Sequence, residues 1–270
     1  MVVNFNGQII DQNQPIYSTQ NRIVNFGDIV KEVIRVKNGE IHLWENHYFS
    51  LMASMRIMRM NIPLNFTPEF FQDQIHLLLE ENEVKNGKIE FVCSRSFSDD
   101  LLKSGIDYFI RFSLSDKTWE YENLPAEIDV YKDYYVNDSF FSQNNIVRPE
   151  ENIAKIYLLE NEFDDLVLLN QHKKMARSLN GAIFLINDDI IKTPKLSEGV
   201  NKSVLRDHFI AQINQSEKYK VEETDIFPFE MQKAEEIFVL IDGFGLKAFT
   251  QNRKKTFRTE KTDSLLQFLD

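Results

Sequence analysis

The segment 175–200 constrains the fold more than any other part of the chain. It contains the turn sequence Leu179-Asn180-Gly181, since asparagine and glycine adopt positive φ at low cost. Two apolar runs, 182–186 and 190–192, follow with three polar residues between them, which predicts a β-hairpin. A short loop then leads to a helix that we expect to begin near Ser203. A hairpin that leads to a helix N-terminus can hold an anion, although it also occurs as an ordinary structural unit.

The composition excludes several classes of protein and site. The chain has 270 residues, 43% of them hydrophobic and 27% charged, which is typical of a folded protein large enough for two modest domains. Its net charge of −11 argues against nucleic acid or an anionic membrane as a partner, and no apolar run reaches the roughly 18 residues of a membrane span. Cys93 is the only cysteine, so no internal disulfide forms, and with no signal-peptide pattern we expect a cytoplasmic protein. The histidines show no ligand spacing, so we expect no metal site.

The run 252–258 is a local exception to this acidic balance. Four of its seven residues are basic: Arg253, Lys254, Lys255 and Arg258. Such a run can bind nucleic acid, but it is more common on the protein surface. We predict a solvated turn or a strand edge here.

The pattern along the chain predicts an α+β protein of two domains. Asn-Gly pairs at 6–7 and 38–39 predict hairpins within an antiparallel meander. The tract around 119–122 has mixed polarity and leads to a proline, so we assign it as a linker between domains 1–118 and 123–270.

Helical periodicity and strand-like apolar runs predict the remaining elements. Thr67 and Pro68 predict the N-cap and first residue of one helix, and the methionine stripe of the helix at 44–60 predicts core filling. In the second half we predict a strand at 128–131, a loop at 133–145 and a helix at 150–160. The further predictions are helices at 44–60, 67–83, 203–214 and 263–269, strands at 88–96, 108–115, 165–169 and 235–241, and an inward face of the 150–160 helix made of Ile153, Ile156, Tyr157 and Leu159.

Two stretches resemble the class IV aminotransferases, which are the fold type IV pyridoxal-phosphate (PLP) enzymes: branched-chain aminotransferases, D-amino-acid aminotransferases and aminodeoxychorismate lyases. The first, LNGAIFLI…IKTPKLSEGV…LR, is similar to the family's turn, hairpin, T-P-P-L-S-x-G and G-I-T-R segments. The second, NRIVNFGDIVKEVIRVKNGEIHLWENHYFSL, keeps the family's order and spacing at Asn21, Arg22, Gly27, Asp28, Glu32, Arg35, Asn38, Gly39, Glu45, His47 and Leu51.

The resemblance implies a specific architecture and cofactor. The fold would be that of the D-amino-acid aminotransferase-like enzymes, with a small α/β sandwich domain followed by a larger α/β barrel-like domain. Family members use PLP, are usually homodimers and hold their ligand between the two domains, so we expect a homodimer here.

The positions that carry the family's imine and proton chemistry differ in this chain. The resemblance places the Schiff-base lysine at Asn144, or at Gln143 if the alignment slips by one residue, and neither side chain can form an imine. The acid beside the pyridine nitrogen falls at Arg177, whose guanidinium cannot hand over a proton because its pKa stays above about 12.

The phosphate-binding positions differ as well. Ser50 stands where the family has an arginine, and Ser203-Val204 replaces the Gly-Ile of G-I-T-R. Backbone N–H groups at that helix start could still bind an anion. Asp242, however, follows the late strand where the family has a Thr-Asn pair, and its carboxylate would repel phosphate.

Two hypotheses about function follow from the resemblance. In the first, the chain is a pseudoenzyme that has lost PLP Schiff-base catalysis, binds PLP weakly or not at all, and holds a small carboxylate or phosphate, with Arg177 as the cation. In the second, it is an active PLP-dependent branched-chain aminotransferase or aminodeoxychorismate lyase that uses a displaced lysine, Lys132, Lys155 or Lys174. A generic α+β interaction module would require the resemblance to be chance.

Overall fold

The chain folds into two compact units in the computed structural model, which describes residues 1–114, 125–142, 144–216 and 218–270. The first unit contains residues 1–114 and the segment Asn144–Val147, and the second contains the other described residues. Asn144–Val147 packs with the first unit, since the Lys31 N–H donates to the Asn145 carbonyl at 2.8 Å. The predicted linker at 119–122 and Gln143 lie outside the described residues, and the predicted boundary stays a prediction.

An antiparallel six-stranded sheet with two longer helices forms most of the first unit. Its strand order is β2-β1-β6-β5-β3-β4. The elements are β1 (Val2–Phe5), β2 (Gln8–Asp11), α1 (Arg22–Phe26), β3 (Ile29–Lys37), β4 (Glu40–Ile41), α2 (Trp44–Ile57), α3 (Pro68–Glu81), β5 (Gly87–Arg95) and β6 (Ile106–Leu114).

Both Asn-Gly hairpins of this sheet are confirmed, but the predicted meander is wrong. Asn6 and Asn38 adopt φ of 50° and 55°, as their turns require. The two hairpins lie at opposite edges of the sheet, with β6 and β5 inserted between β1 and β3. Each Asn-Gly pair fixes only its own hairpin, whereas the nine-residue strands β3, β5 and β6 pair along most of their length and so determine the order.

The two longer helices bury apolar side chains against this sheet. Thr67 caps α3, its hydroxyl accepting from the Phe70 N–H at 3.2 Å, and Pro68 is the first helical residue, as predicted. Met52 and Met55 of α2 belong to the core, together with Phe71 of α3 and Phe91 of β5. Filling of the core by methionine is confirmed at these two positions.

The second unit contains a five-stranded sheet, a three-stranded sheet and a short two-stranded hairpin. The strand orders are β12-β11-β10-β13-β14, β7-β8-β9 and β15-β16. The elements are β7 (Ile128–Val136), α4 (Pro149–Glu160), β8 (Asp165–Asn170), β9 (Met175–Ser178), β10 (Ala182–Asn187), β11 (Ile190–Pro194), α5 (Val204–Gln215), β12 (Lys220–Thr224), β13 (Glu236–Ile241), β14 (Gly245–Phe249), β15 (Gln251–Asn252), β16 (Lys255–Thr256) and α6 (Glu260–Ser264).

The hairpin predicted from segment 175–200 is confirmed. Strands β10 and β11 pair antiparallel, with Asn187 opposite Ile190, and Asp188 adopts φ of 52° in the turn. β10 is the central strand of its sheet and is buried on both faces, which explains its continuous apolar run. The positive φ expected at Gly181 is wrong, because its φ is not positive. A Cβ at Gly181 would lie 2.0 Å from the Leu240 carbonyl oxygen, so glycine is required by the close approach of β13.

Three other predictions in the second unit are corrected. The strand predicted at 128–131 continues to Val136 through an irregularity at Tyr131/Tyr135, so part of the predicted loop is strand. The inward face predicted for α4 is wrong at Ile153, Ile156 and Leu159, which are 62, 56 and 73% exposed, and is confirmed at Tyr157, which packs against the core. The helix packs instead through the fully buried Ala154, whose small side chain lets α4 lie close to β8.

Strands β9, β12 and β14 were not predicted, and the closing helix is short. β12 is an edge strand that pairs parallel with β11. Its charged sequence, Lys-Val-Glu-Glu-Thr, lacks the apolar run from which a strand is predicted. α6 ends at Ser264 and only a 3-10 turn, Leu266–Phe268, follows. Within the described ranges, no helix is long and apolar enough to cross a membrane.

Candidate functional site

Glu32 is the centre of a buried polar cluster in the first unit. Its Oε2 lies 2.9 Å from His47 Nδ1. Its Oε1 accepts hydrogen bonds from the Ser50 hydroxyl at 2.6 Å and from the Asn145 amide at 3.0 Å. Asn144, the position predicted for the lysine, is fully buried beside Asn145. The cluster therefore ties β3 to α2 and to the segment Asn144–Val147.

The arrangement of this cluster does not create a nucleophile. A serine is activated when an imidazole accepts its proton and a carboxylate orients that imidazole. Here the Glu32 carboxylate lies between His47 and Ser50, and the Ser50 hydroxyl donates to the carboxylate. Ser50 is therefore a structural donor to a buried acid. The sequence pattern included Glu32, His47 and Ser50 but missed Asn145, which only the folded chain brings to them.

The N-terminus of α5 already has an anion, which the protein supplies itself. Ser203 is the N-cap residue, and its hydroxyl accepts from the Arg206 N–H at 3.1 Å and donates to Asp242 at 3.2 Å. The same Asp242 oxygen accepts the backbone N–H of Leu205 at 2.9 Å. Val204 is buried as the first helical residue. A carboxylate in this position satisfies an otherwise unpaired N–H group and interacts favourably with the helix dipole.

Arg177 lies on β9 and is almost completely buried, with 3% of its surface exposed. Its Nη2 lies 3.0 Å from Glu151 Oε1 on α4. Its Nε and Nη1 have no hydrogen-bond acceptor among the residues that the structure describes. Burial lowers the pKa of the guanidinium, and the Glu151 carboxylate opposes that shift.

A cavity of about 190 Å³ lies beside Arg177 and is lined only by residues of the second unit. Arg148 and Glu150 also line it, so its charges include both signs. The Tyr134 hydroxyl donates to Glu150 at 3.1 Å. Burial, and then the charge of Glu150, raises the pKa of Tyr134 to about 12, which keeps the phenol protonated at neutral pH. Asn201 contributes a side-chain oxygen that has no donor within the described ranges.

The sequence predicted Arg177 but not the residues that surround it. Arg148, Glu150 and Glu151 stand together at the start of α4, where the chain departs from the family pattern. The physical signal was the arginine itself, since a buried guanidinium needs a nearby carboxylate. Sequence alone could not choose the partner, because the chain has 42 acidic residues.

The three lysines proposed as replacements differ in their surroundings. Lys174 Nζ lies 2.8 Å from Asp225 and 3.2 Å from Glu198, and these hydrogen bonds raise its pKa. A Schiff-base lysine must be available as the neutral amine. Lys132 and Lys155 are exposed. Among the described residues, no group of three His, Cys, Asp or Glu side chains could hold a metal ion.

Comparison with known proteins gives consistent relatives. The family model described as Amino-transferase class IV matches residues 30–241. A Methanocaldococcus jannaschii protein named as a branched-chain-amino-acid aminotransferase is 22% identical over 253 residues, covering 88% of this chain and 83% of that protein.

Solved structures of related proteins have the same fold. The branched-chain aminotransferase of Thermoproteus uzoniensis with norvaline superposes with a TM-score of 0.88 at 19% identity, covering 99% of this chain and 92% of that one. A Legionella pneumophila protein named as a 4-amino-4-deoxychorismate lyase gives 0.83 at 18% identity and covers 96% of each chain. The Thermobaculum terrenum branched-chain aminotransferase in its PLP-form gives 0.85 at 17% identity, covering 99% of this chain and 92% of that one.

The TM-scores of 0.83 to 0.88 confirm the predicted fold class. The matched residues include most of β3, the polar cluster around Glu32, Arg177, the 182–194 hairpin and the start of α5. They span more than half of the sequence, and the chain therefore belongs to the class IV aminotransferase family.

Proposed function

We propose that this protein does not carry out PLP Schiff-base catalysis and instead binds a small carboxylate at Arg177. The observation that carries the proposal is the environment of Arg177, a buried cation that lines a cavity with two donor nitrogens unused within the described residues. Buried donors without acceptors destabilise a protein by about 1–3 kcal/mol each. A ligand that supplies acceptors would remove that penalty.

The charges of the cavity favour a single negative charge on the ligand. Arg177 and Arg148 are the cations, and Glu150 and Glu151 already oppose them. A second negative charge on the ligand would therefore meet like charges nearby, which favours a carboxylate over phosphate. The volume of about 190 Å³ is below that of sites for drug-sized molecules, about 300–1,000 Å³, so the ligand has few heavy atoms.

The residues at the family's cofactor positions do not fit PLP. Asn144 cannot form the imine and Arg177 cannot protonate the pyridine nitrogen. Ser50 donates its hydroxyl to Glu32, so it offers phosphate no positive charge. Asp242 accepts the Leu205 N–H at the α5 N-terminus, where a phosphate would have to displace a carboxylate.

The family resemblance also supports a homodimeric, cytoplasmic protein. Sedimentation velocity of the purified chain at several concentrations tests the dimer, and a single species with the mass of one chain, 31.8 kDa, would contradict it.

Isothermal titration with acetate, propionate and inorganic phosphate tests ligand binding. We expect the carboxylates to bind more tightly than phosphate, and Arg177→Met to raise their Kd by at least about tenfold, as expected for loss of a charge-assisted hydrogen bond. Arg177→Lys keeps the charge but loses the fork of donors and should weaken binding by a smaller factor. Arg56→Met replaces an exposed arginine in the first unit and should leave the Kd unchanged. Equal Kd values for the wild type and Arg177→Met would contradict the carboxylate site.

The loss of catalysis is tested separately by adding PLP and then borohydride. We expect no covalent adduct. An adduct mapped to Lys132, Lys155 or Lys174 would instead establish the alternative, an active PLP enzyme with a displaced lysine.

A further inference from the structure

The basic run 252–258 forms part of a second concavity, for which the proposed carboxylate site gives no role. The concavity has a volume of about 510 Å³ and shares no lining residue with the cavity at Arg177. We infer that it binds an amphipathic anion: a flat apolar body, such as an aromatic ring, with one phosphate or carboxylate group. This inference does not depend on the proposed function.

The apolar part of the concavity is made by two strands and a 3-10 turn. Val130 of β7 and Leu169 of β8 line it, together with Pro228 and Phe229 of the turn Pro228–Gln232. Phe229 is 57% exposed and stacks on Phe227, with ring centroids 6.0 Å apart and planes at 15°. An exposed aromatic pair beside a concave apolar wall can bury further area against a planar ligand.

The cationic part of the concavity comes from Lys132, Arg253 and Lys254. Arg253 is partly compensated, because its Nε lies 3.1 Å from Asp129. Lys132 and Lys254 are exposed and make no ion pair with any residue that the structure describes. Two uncompensated positive charges at one apolar concavity, in a chain of net charge −11, make this a local attractor for an anion.

The turn that carries Arg253 and Lys254 is held in place by hydrogen bonds to neighbouring elements. Asn252 is 3% exposed, donates to the Ile128 carbonyl at 2.7 Å and accepts from Gln232 at 2.5 Å. Arg253 adopts φ of 56°, and its N–H donates to Glu127 at 3.3 Å. The backbone beneath the two cations is therefore fixed before a ligand arrives, which lowers the entropy lost on binding.

The shape of the concavity favours a small molecule over a polyanion. Its volume lies within the usual range for ligand sites, about 300–1,000 Å³. Nucleic acid binding draws on many phosphate contacts, and two free lysines on an acidic protein supply few of them. The apolar wall adds affinity only for a ligand that carries apolar surface.

Binding of phenyl phosphate, benzoate, inorganic phosphate and benzyl alcohol to the full chain tests the inference, with titration calorimetry as the readout. We expect phenyl phosphate and benzoate to bind more tightly than inorganic phosphate, and benzyl alcohol not to bind measurably. The comparison of phenyl phosphate with benzoate shows which anionic group is preferred. The double variant Lys132→Gln/Lys254→Gln should raise the Kd of both aryl anions about tenfold.

Single variants separate the apolar contribution from the charge. Phe229→Ala should weaken phenyl phosphate by roughly threefold to tenfold and leave inorganic phosphate unchanged. Lys103→Gln, at a lysine whose side chain is 83% exposed in the first unit, is the matched control and should change nothing. Thermal unfolding of each variant shows that the fold is kept.

Three results would overturn the inference. The first is an unchanged Kd for aryl anions in the double lysine variant. The second is equal affinity for phenyl phosphate and inorganic phosphate. The third is loss of aryl-anion binding in Arg177→Met with the lysine variant unaffected, which would assign that ligand to the Arg177 cavity.

Discussion

The start of α5 and the cavity beside Arg177 differ in whether the protein itself satisfies the hydrogen-bond donors that an anion could bind. At α5 the donors are satisfied, since Asp242 accepts the Leu205 N–H and the Ser203 hydroxyl. At Arg177 the cation has one carboxylate close to it, while two of its nitrogens have no acceptor within the described ranges. The family resemblance places cofactor groups at both regions, so the change of function that we propose has two parts. One anion position is filled by the protein itself, and a new cation is left to be satisfied.

This difference indicates where a ligand can still bind. An anion at α5 would have to displace a carboxylate that is held by two hydrogen bonds. An anion at Arg177 would complete the hydrogen bonding of a buried group, which favours binding there because unmade buried hydrogen bonds are costly.

The largest expected effect comes from removing the carboxylate that forms an ion pair with Arg177. Glu151→Leu leaves the buried guanidinium without its ion pair and should lower the free energy of unfolding by about 3 kcal/mol, as for other broken buried pairs. Urea denaturation at pH 7 measures it. Glu160→Leu, at an exposed position on the same helix, should change stability by no more than about 0.5 kcal/mol.

The same variant also tests the ligand side of the comparison. With one negative charge removed, acetate should bind Glu151→Leu more tightly than the wild type and restore part of the lost stability. Equal stabilisation of both proteins by acetate would show that the ligand does not reach Arg177.

The pH dependence of a second buried charge gives the next largest effect. Asp165 is fully buried, and burial raises its pKa from 3.8 to about 6 although the Leu166 N–H donates to it at 2.7 Å. Its folded pKa lies above the unfolded value, so the native state holds the proton more tightly and stability falls as pH rises from about 4 to 6. The difference amounts to about 2 kcal/mol, and Asp165→Asn should abolish it.

Urea denaturation at pH 4 and pH 7 measures this dependence. Asp189→Asn, at an exposed position of the β10–β11 turn, should keep the wild-type pH profile. If Asp165→Asn also keeps it, burial does not control the protonation of Asp165. The comparison would then depend on Arg177 and not on Asp165.

Local signals predicted the fold well where a residue's own chemistry decides its conformation. The Asn6-Gly7 and Asn38-Gly39 turns, the Thr67 cap and the 182–194 hairpin all depend on neighbours in sequence. Predictions failed where distant packing decides. Glycine is needed at Gly181 because the Leu240 backbone approaches it closely. Helix α4 buries Ala154, while its larger apolar side chains are exposed or half-buried. Strand β12 is held at the sheet edge by pairing with β11, despite its charged sequence.

The candidate site shows the same division. The family pattern singled out Asn144, Ser50, Arg177, Ser203 and Asp242 as candidate positions, because they stand at fixed distances from matched residues. It could not locate Glu151 and Tyr134, which come close to Arg177 only through the fold of the second unit, or Asn145, which bonds to Glu32 in the first unit. It also could not show that Asp242 would bond to the helix start, since a repulsive carboxylate and a capping carboxylate look identical in sequence.

The smallest expected effect tests the filled position directly. Asp242→Ala removes the acceptor from the Leu205 N–H and the Ser203 hydroxyl and should lower stability by about 1 kcal/mol, a typical value for losing an acidic cap at a helix N-terminus. The vacated N–H groups should then bind an anion, so inorganic phosphate should raise the melting temperature of Asp242→Ala more than that of the wild type. Asp99→Ala, at an exposed residue of the first unit, is the control for a general effect of lost negative charge. If phosphate stabilises the wild type and Asp242→Ala equally, Asp242 does not occupy the anion position, and the contrast between the start of α5 and the Arg177 cavity fails.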